Sequence, residues 1–474
     1  MKLSDLFERP FDPDPEIRGI TADSRAVEPG FLFAAMPGTV IDGAKFIPMA
    51  EEKGAAAVLA GPGATARVPL VAADDPRLAL ARAAARFHGG RQPETLAAIT
   101  GTNGKTSVAS FAAQIWSACG RKAASMGTLG VSGAGFERAL RHTTPDPIEV
   151  HDVLDALDAH GVTHLALEAS SHGLAQRRVD GARVAIAAFT NITRDHLDYH
   201  KDFDDYFRAK LRLFTEVLAD DGAAVVDVDG PNALAVAESA RGAKVLRTGR
   251  RGDAVRIAKA DPQPEGLACT FEIDGRPFDV PLALVGGFQA SNAAVAAGIA
   301  LASGEGAEAV AGTLAGLKGV RGRMEFAGSA GGGAVYVDYA HTPDAVATAL
   351  AALRPHAEGR LIALVGAGGD RDREKRPLMG RAAAENADIV IVTDDNPRSE
   401  DPAAIRAQVK SGAPDATEIG DRAEAIRAGV ALLRPGDVFA VLGKGHETGQ
   451  TVAGVVLPFD DAGEARAACA ERSA

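Results

Sequence analysis

The chain is 474 residues long, 46% hydrophobic and 24% charged, with 51 Lys and Arg against 63 Asp and Glu for a formal net charge of −12. This balance excludes a largely disordered chain and argues against a general nucleic-acid or anionic-membrane binder, so an anionic ligand must be held by locally gathered cations or backbone amides. At roughly 100 to 200 residues per domain, the length points to about three domains.

The first expected domain covers residues 1–90. It opens with Asp5, Glu8, Arg9, Asp12, Asp14 and Glu16, where an export signal would need an unbroken apolar run. Strand-like runs at 30–35 and 56–60 and a helical, Ala- and Arg-rich stretch at 76–88 follow, before Gly89, Gly90 and Pro93 break the pattern as a linker. The second expected domain covers 91–320. Short apolar runs at 96–100, 164–168, 184–190 and 223–228 each lead into a polar loop and a helical segment, which predicts a mainly parallel sheet with ligands at the carboxyl ends of its strands. The apolar stretch at 293–302 is too short for a membrane span, which needs roughly 18 to 20 residues. The third expected domain, 321–474, has runs at 335–338, 361–365, 389–393 and 438–442, again ending in loops of Gly, Asp, Asn or His, and reads as a smaller doubly wound, Rossmann-like α/β unit. Cys119, Cys269 and Cys469 lie far apart, which fits a reducing, cytoplasmic setting and excludes a thiolate zinc site.

The sharpest local signal is the run Gly101, Thr102, Asn103, Gly104, Lys105, Thr106, Ser107 between a predicted strand and a predicted helix. Glycines let backbone wrap phosphate, helix-start amides point at it, a lysine neutralises charge and a hydroxyl reaches Mg2+. The spacing departs from the standard phosphate loop, because Ile99 stands where the first glycine is expected. Glu168, followed by Ser170, Ser171, His172 and Gly173, ends the next strand and supplies a hard oxygen for Mg2+. A third cluster at 191–200 contains Asp195, His196, Asp198 and His200. Arg208, Lys210 and Arg212 crowd one short helix, whose pattern alone predicts an exposed basic face. Asn292, the run 319–325 with Arg323, and the run 338–344 beginning at Asp338 complete the set.

In this order these motifs resemble the Mur ligase family, which also includes the folylpolyglutamate synthases, and the resemblance spans essentially the whole chain. The runs 366–371, 394–398 and 443–447 look like the MurE type that uses meso-diaminopimelate. The resemblance implies an N-terminal UDP-binding domain, a central P-loop-type ATPase domain and a C-terminal domain that receives the amino acid. It assigns residues 101–107, Asn292, Arg323 and Asp338 to ATP, with Lys105 on the phosphates. Thr106, Glu168, His196 and a carbamylated Lys210 become the Mg2+ ligands, and Lys105, Lys210, His196 and Glu168 the catalytic set. UDP-N-acetylmuramoyl-L-Ala-D-Glu is expected at Ser24, Thr39, His142, Thr143, Thr144, Ser170, Gln176 and Arg178. Meso-diaminopimelate is expected at Arg371, Asp395, Asn396, Pro397, Arg398, Gly443 and Glu447. The implied cofactors are ATP and Mg2+, with no nucleic-acid or membrane partner and a monomer as the working unit. Sister readings are an L-lysine-adding ligase and a folylpolyglutamate synthase. Arg398 argues against the first, since lysine has no distal carboxylate to meet it, and the extra N-terminal domain argues against the second.

Overall fold

The computed structural model describes residues 1–38, 42–193, 195, 199–240, 242–263 and 266–473, so Thr39 and His196 lie outside the described residues. Its strands fall into three sheets and one hairpin. The first sheet is four-stranded and parallel, formed by β1 (Gly19–Thr21), β2 (Phe31–Ala35), β3 (Ala57–Ala60) and β4 (Leu70–Ala72) in chain order. The helix Pro76–Phe87 closes this unit; Asp75 accepts from Leu78 N and Pro76 occupies the first turn, the usual pairing of a side-chain cap with a proline that needs no donor.

The central sheet has eleven strands: β5 (Thr95–Thr100), β6 (Ala123–Gly127), β7 (Gly130–Gly133), β8 (Phe136–Arg138), β9 (His164–Glu168), β10 (Val184–Phe189), β11 (Leu218–Asp227), β12 (Lys244–Gly249), β13 (Val255–Gln263), β14 (Gly266–Ile273) and β15 (Arg276–Leu282). Their spatial order is β15-β14-β13-β12-β11-β10-β5-β9-β6-β7-β8. The middle is parallel, as the sequence pattern predicts, but both edges are antiparallel: β6-β7-β8 at one side and β13-β14-β15 at the other. The pattern at 255–282 did not announce the second of these. Its strands carry Pro262, Pro277 and Pro281 and alternate in burial as a one-sided sheet does, so they lack the continuous apolar run that marked β5 or β9. Leu96, Ala97, Ala98 and Ile99 on β5 are at most 1% exposed, because helices cover both faces. One core layer packs β5 and β10 against the helices Lys105–Ala118 and Phe288–Ala302; the other lies under the helix Pro147–Ala159.

The third sheet runs in the order β16-β17-β21-β18-β19-β20, built from β16 (Glu325–Ala330), β17 (Gly333–Asp338), β18 (Leu361–Val365), β19 (Ile389–Val392), β20 (Thr417–Glu418) and β21 (Val438–Leu442). Only the β16–β17 pair is antiparallel. A separate hairpin, β22 (Gly449–Val452) and β23 (Val455–Pro458), leans on the loop after β19. Among the described residues no helix is long and apolar enough to cross a membrane.

Candidate active site

The loops at the carboxyl ends of β5, β9 and β10 share cavities with those after β17, β18, β19 and β21, and the chemistry-bearing residues gather there. The helix Lys105–Ala118 starts at Gly104, which is left-handed at φ +87°, and has no side-chain cap, so its first amides remain available to an anion. The loop is held from outside: Thr102 N donates to the Asn191 carbonyl, Thr190 Oγ1 to the Asn103 carbonyl at 2.6 Å, and Asn103 N to Asn191 Oδ1. A Cβ on Gly104 would sit 2.5 Å from Asn292 Oδ1, and one on Gly101 would overlap Thr190 Oγ1, so both glycines are required by close approach as well as by backbone conformation.

A cavity of about 200 Å3 lies over this loop, lined by residues 102–107, Thr128, Thr143, Glu168, Ser170, Asp195, Lys210, Arg323 and Asp338. Thr106 Oγ1 donates to Glu168 Oε2 at 3.0 Å, while Glu168 Oε1 accepts from Thr128 N at 2.8 Å. A hydroxyl and a carboxylate side by side are hard oxygens of the kind that would hold Mg2+ beside a phosphate. Among the described residues no three His, Cys, Asp or Glu side chains converge. Arg323 lies over the Tyr339 ring with its carbon 4.6 Å from the centroid and reaches Thr106 Oγ1 at 3.4 Å, and Asp338 accepts from Met324 N at 2.7 Å. Burial pushes the Asp338 carboxyl up, opposed by Arg323.

The expected exposed basic face at 206–214 is not what forms. Lys210 is 2% exposed, and its Nζ donates to the Gly101 carbonyl at 2.7 Å and sits 4.5 Å from the Tyr206 ring centre. Lys105 Nζ donates to the same carbonyl at 2.9 Å and to that of Thr102. Burial holds both ammonium groups below the usual lysine range; for Lys210 the shift is large and the charge of Lys105 adds to it. Arg212 points the other way into ion pairs with Asp180 and Glu216, and only Arg208 stays in solvent. The pattern misleads because a lysine on the apolar face of a helix is indistinguishable, residue by residue, from one on its wet face.

A second cavity, about 460 Å3, shares Asp195, Tyr339, His341 and Thr342 with the first and is lined by Arg371, Lys375, Asp395, Asn396, Arg398, Gly443 and Glu447. Pro397 is not in its lining; its carbonyl oxygen would be 1.9 Å from a Cβ on Gly369, so it acts through backbone packing. Arg398 is left-handed at φ +53°, donates from Nη1 to the Gly369 carbonyl at 2.7 Å, and is bridged to Thr451 and Ala453 of the hairpin. Glu447 is already engaged: Oε2 accepts from Lys444 Nζ at 3.0 Å and from Asn396 Nδ2 at 2.8 Å. Lys444, fully buried, stood in the 443–447 motif without a role, and only the fold shows its partners.

The expected UDP-substrate residues do not form one patch. Ser24 and His142 line a large cleft of about 1180 Å3 between the first and central sheets, together with His88, Arg138 and Arg141. Thr143 and Ser170 face the cavity over the 101–107 loop instead. Thr144 is 1% exposed and holds Ser170 in place through its hydroxyl, at 3.0 Å from Ser170 Oγ. Arg178 donates to the Thr144 carbonyl and to Gln176, and Gln176 to Tyr199. Thr128, Tyr206, Lys444 and the cleft arginines were not foreseen; Tyr206 had a signal, lying four residues before Lys210 and therefore on its helix face.

Three family models match the chain: "Mur ligase family, catalytic domain" at 16–88, "Mur ligase middle domain" at 99–300, and "Mur ligase, glutamate ligase domain" at 322–445. It is similar to the UDP-N-acetylmuramoyl-L-alanyl-D-glutamate–2,6-diaminopimelate ligases of Caulobacter vibrioides, 53% identical over 98% of this chain and 97% of that one, and of Brucella melitensis, 49% identical over 96% and 95%. A solved structure of a UDP-N-acetylmuramoyl-L-alanyl-D-glutamate–2,6-diaminopimelate ligase aligns over 100% of this chain and 99% of that one with a TM-score of 0.73 and 33% identity. The Thermotoga maritima MurF ligase in complex with ADP shares the fold at a TM-score of 0.63 and 20% identity, over 90% of this chain and 94% of that one. On the phosphate loop, the sheet order and these matches together, the chain belongs to the Mur ligase family.

Proposed function

We propose that this protein is the ATP-dependent ligase that joins meso-diaminopimelate to the D-Glu side-chain carboxylate of UDP-N-acetylmuramoyl-L-Ala-D-Glu, a step of peptidoglycan precursor synthesis in the cytoplasm. The observation that carries this reading is the shared wall of the two cavities: Asp195, Tyr339, His341 and Thr342 face both the phosphate loop and the Arg371, Arg398 and Glu447 cavity. A group phosphorylated in the first is thereby within reach of an amine held in the second. Residues 1–90 with the large cleft would take the UDP end, 91–320 the ATP and 321–474 the amino acid.

A carboxylate is a poor acylating agent, so its oxygen attacks the γ-phosphorus of ATP, ADP leaves, and the acyl phosphate formed is open to attack by the amine, which expels phosphate. Catalysis is then mostly positioning and charge neutralisation. Lys105 and the helix-start amides hold phosphate oxygens, and Arg323 and Asn292 border the nucleotide. Thr106 and Glu168 would hold Mg2+, which when bound neutralises phosphate charge. His196 joins this proposed metal set from the motif alone. Lys210 is proposed to be carbamylated: its neutral amine adds to the carbon of CO2 and loses one proton, giving an anionic N-carboxylate in place of an ammonium that competes with Lys105 for the Gly101 carbonyl. Arg398 and Arg371 would meet the distal carboxylate of diaminopimelate and Glu447 its ammonium. The test is phosphate release with the UDP-dipeptide and a panel of amino acids. Strong dependence on meso-diaminopimelate is expected; equal turnover with L-lysine would replace this reading with the sister ligase, and ATP hydrolysis indifferent to the dipeptide would overturn it.

A further inference from the structure

Arg212 stands two residues beyond Lys210 on the helix Phe203–Arg212, a step of about 200° at 3.6 residues per turn, so the two side chains leave opposite faces. Lys210 faces the phosphate loop. Arg212 faces a cluster that the reaction scheme leaves unused: its Nη2 lies 2.6 Å from Asp180 Oδ1, its Nε 3.1 Å from Glu216 Oε2, and its Nη1 donates to the Leu174 carbonyl. Arg177, left-handed at φ +60° and set between Gln176 and Arg178, reaches the same two carboxylates, Asp180 Oδ1 at 3.0 Å and Glu216 Oε2 at 2.8 Å. Two guanidiniums and two carboxylates thus close a ring in which Asp180 and Glu216 each bridge both arginines. Arg177 Nε extends the ring by a 2.6 Å contact to Asp75 Oδ2, and the other oxygen of Asp75 caps the helix Pro76–Phe87 of the first unit. The Asp180 side chain is 6% exposed and that of Arg212 15%, so this pair is sheltered from the screening that weakens surface ion pairs, whereas Glu216 at 45% and Asp75 at 40% sit nearer solvent.

We infer that Asp180, with Arg177 and Arg212, is a positioning hub for Lys210: it fixes the rotation of the helix that presents this lysine to the Gly101 carbonyl, while Asp75, joined to Arg177, seats the first unit. The inference rests on the proposal that Lys210 works as a carbamylated lysine. A helix pinned on one face has little freedom to turn its other face, whereas a helix released from Asp180 can rotate and withdraw the lysine. Displacing a reacting group by about 1 Å costs on the order of a hundredfold in rate. The carbamate, which forms reversibly and is retained only where its oxygens find partners, loses those partners as well. Asp75 acts at the far end of the chain of contacts and sets the seating of the first unit, hence the grip on the UDP-dipeptide.

The experiment measures initial ligation rates from CO2-depleted buffer to saturating bicarbonate for wild type, Asp180→Asn, Asp180→Glu, Arg212→Lys and Asp75→Asn, each checked for folding by circular dichroism and thermal melting. Asp180→Asn is expected to raise the half-saturating bicarbonate on the order of tenfold and lower kcat, with the KM for the amino acid little changed, and Asp180→Glu to recover part of both. Asp75→Asn is expected to raise the KM for the UDP-dipeptide while leaving the bicarbonate dependence where it was. Should Asp180→Asn fail to fold, Arg212→Lys, which keeps the charge but not the planar fork, reads the same quantity. A folded Asp180→Asn or Arg212→Lys with lower melting temperature but wild-type bicarbonate dependence would reduce the ring to a structural clamp and overturn the inference. A wild type indifferent to bicarbonate, with an active Lys210→Ala, would instead remove the carbamate proposal beneath it.

Discussion

Lys105 and Lys210 share one carbonyl, and that closeness governs both. Lys105→Ala is expected to abolish ligation in a folded protein, since nothing else in the loop carries its charge to the phosphates; near-normal phosphate release would refute that assignment. Lys210 is held well below the usual lysine range by burial and then by Lys105, which favours the neutral amine that CO2 addition needs. Removing the neighbouring cation must ease protonation, so Lys105→Met should raise the pH at which a carbamate signal from 13C-bicarbonate appears. An unchanged pH midpoint would show that burial alone sets the shift. At the other cavity, Arg398→Ala should raise the KM for meso-diaminopimelate and shrink the discrimination against lysine, which a site built around a carboxylate can hold on the order of 10⁴-fold. Arg398 also donates to the Gly369 carbonyl, so a variant that loses thermal stability with selectivity intact would identify it as a loop brace.

At the scale of elements, the turn after β6 decides where Glu168 stands. A Cβ on Gly127 would lie 2.1 Å from Glu168 Oε1 and 2.5 Å from its Cδ and Cγ, so the carboxylate must leave Thr106 or the strand must shift. Gly127→Ala is therefore expected to weaken the Mg2+ dependence of activity, raising half-saturating Mg2+ and lowering kcat on the order of a hundredfold through misplacement. Wild-type Mg2+ titration in this variant would show that Glu168 is not a metal group. The parallel strands β5, β9, β10, β18 and β21 were legible because each is an apolar run covered on both faces and ended by a polar loop. β13, β14 and β15 were not, because alternating, proline-bearing edge strands resemble loops until a neighbouring strand is present to pair them.

For the molecule as a whole, stability carries a pH signature from a group outside the two catalytic cavities. Asp227, at the end of β11 and 7% exposed, is pushed up to about 6 by burial, partly opposed by the Asp229 amide. Its folded value lies above its unfolded one, so between about pH 4 and 6 the folded state binds more protons and stability falls as pH rises through that window. The full penalty, on the order of 3 kcal/mol, applies above it. Asp227→Asn keeps an acceptor for the amide and removes the charge; its melting temperature should exceed wild type at pH 7.5 and match it below pH 4. A gain that is independent of pH would point to packing instead.

The order of motifs along the chain determined the family, the glycine-rich loop at 101–107 and most of the lining of the cavity at Arg371, Arg398 and Glu447, because these depend on residue types at fixed short spacings next to strand ends. Short-range chemistry of that kind survives without coordinates: Gly104 before Lys105, or Asn396 before Pro397 and Arg398, constrains its own backbone. Tertiary structure alone decided that Lys210 is buried beside Lys105, that Glu447 is shared with Lys444, that Thr144 is a support and that Asp180 joins arginines from two segments. Apart from the short-range Lys444–Glu447 and Arg177–Asp180 pairs, these are contacts between residues distant in sequence, and burial, the quantity that sets their charge state and reach, is a property of the folded neighbours rather than of the residue itself.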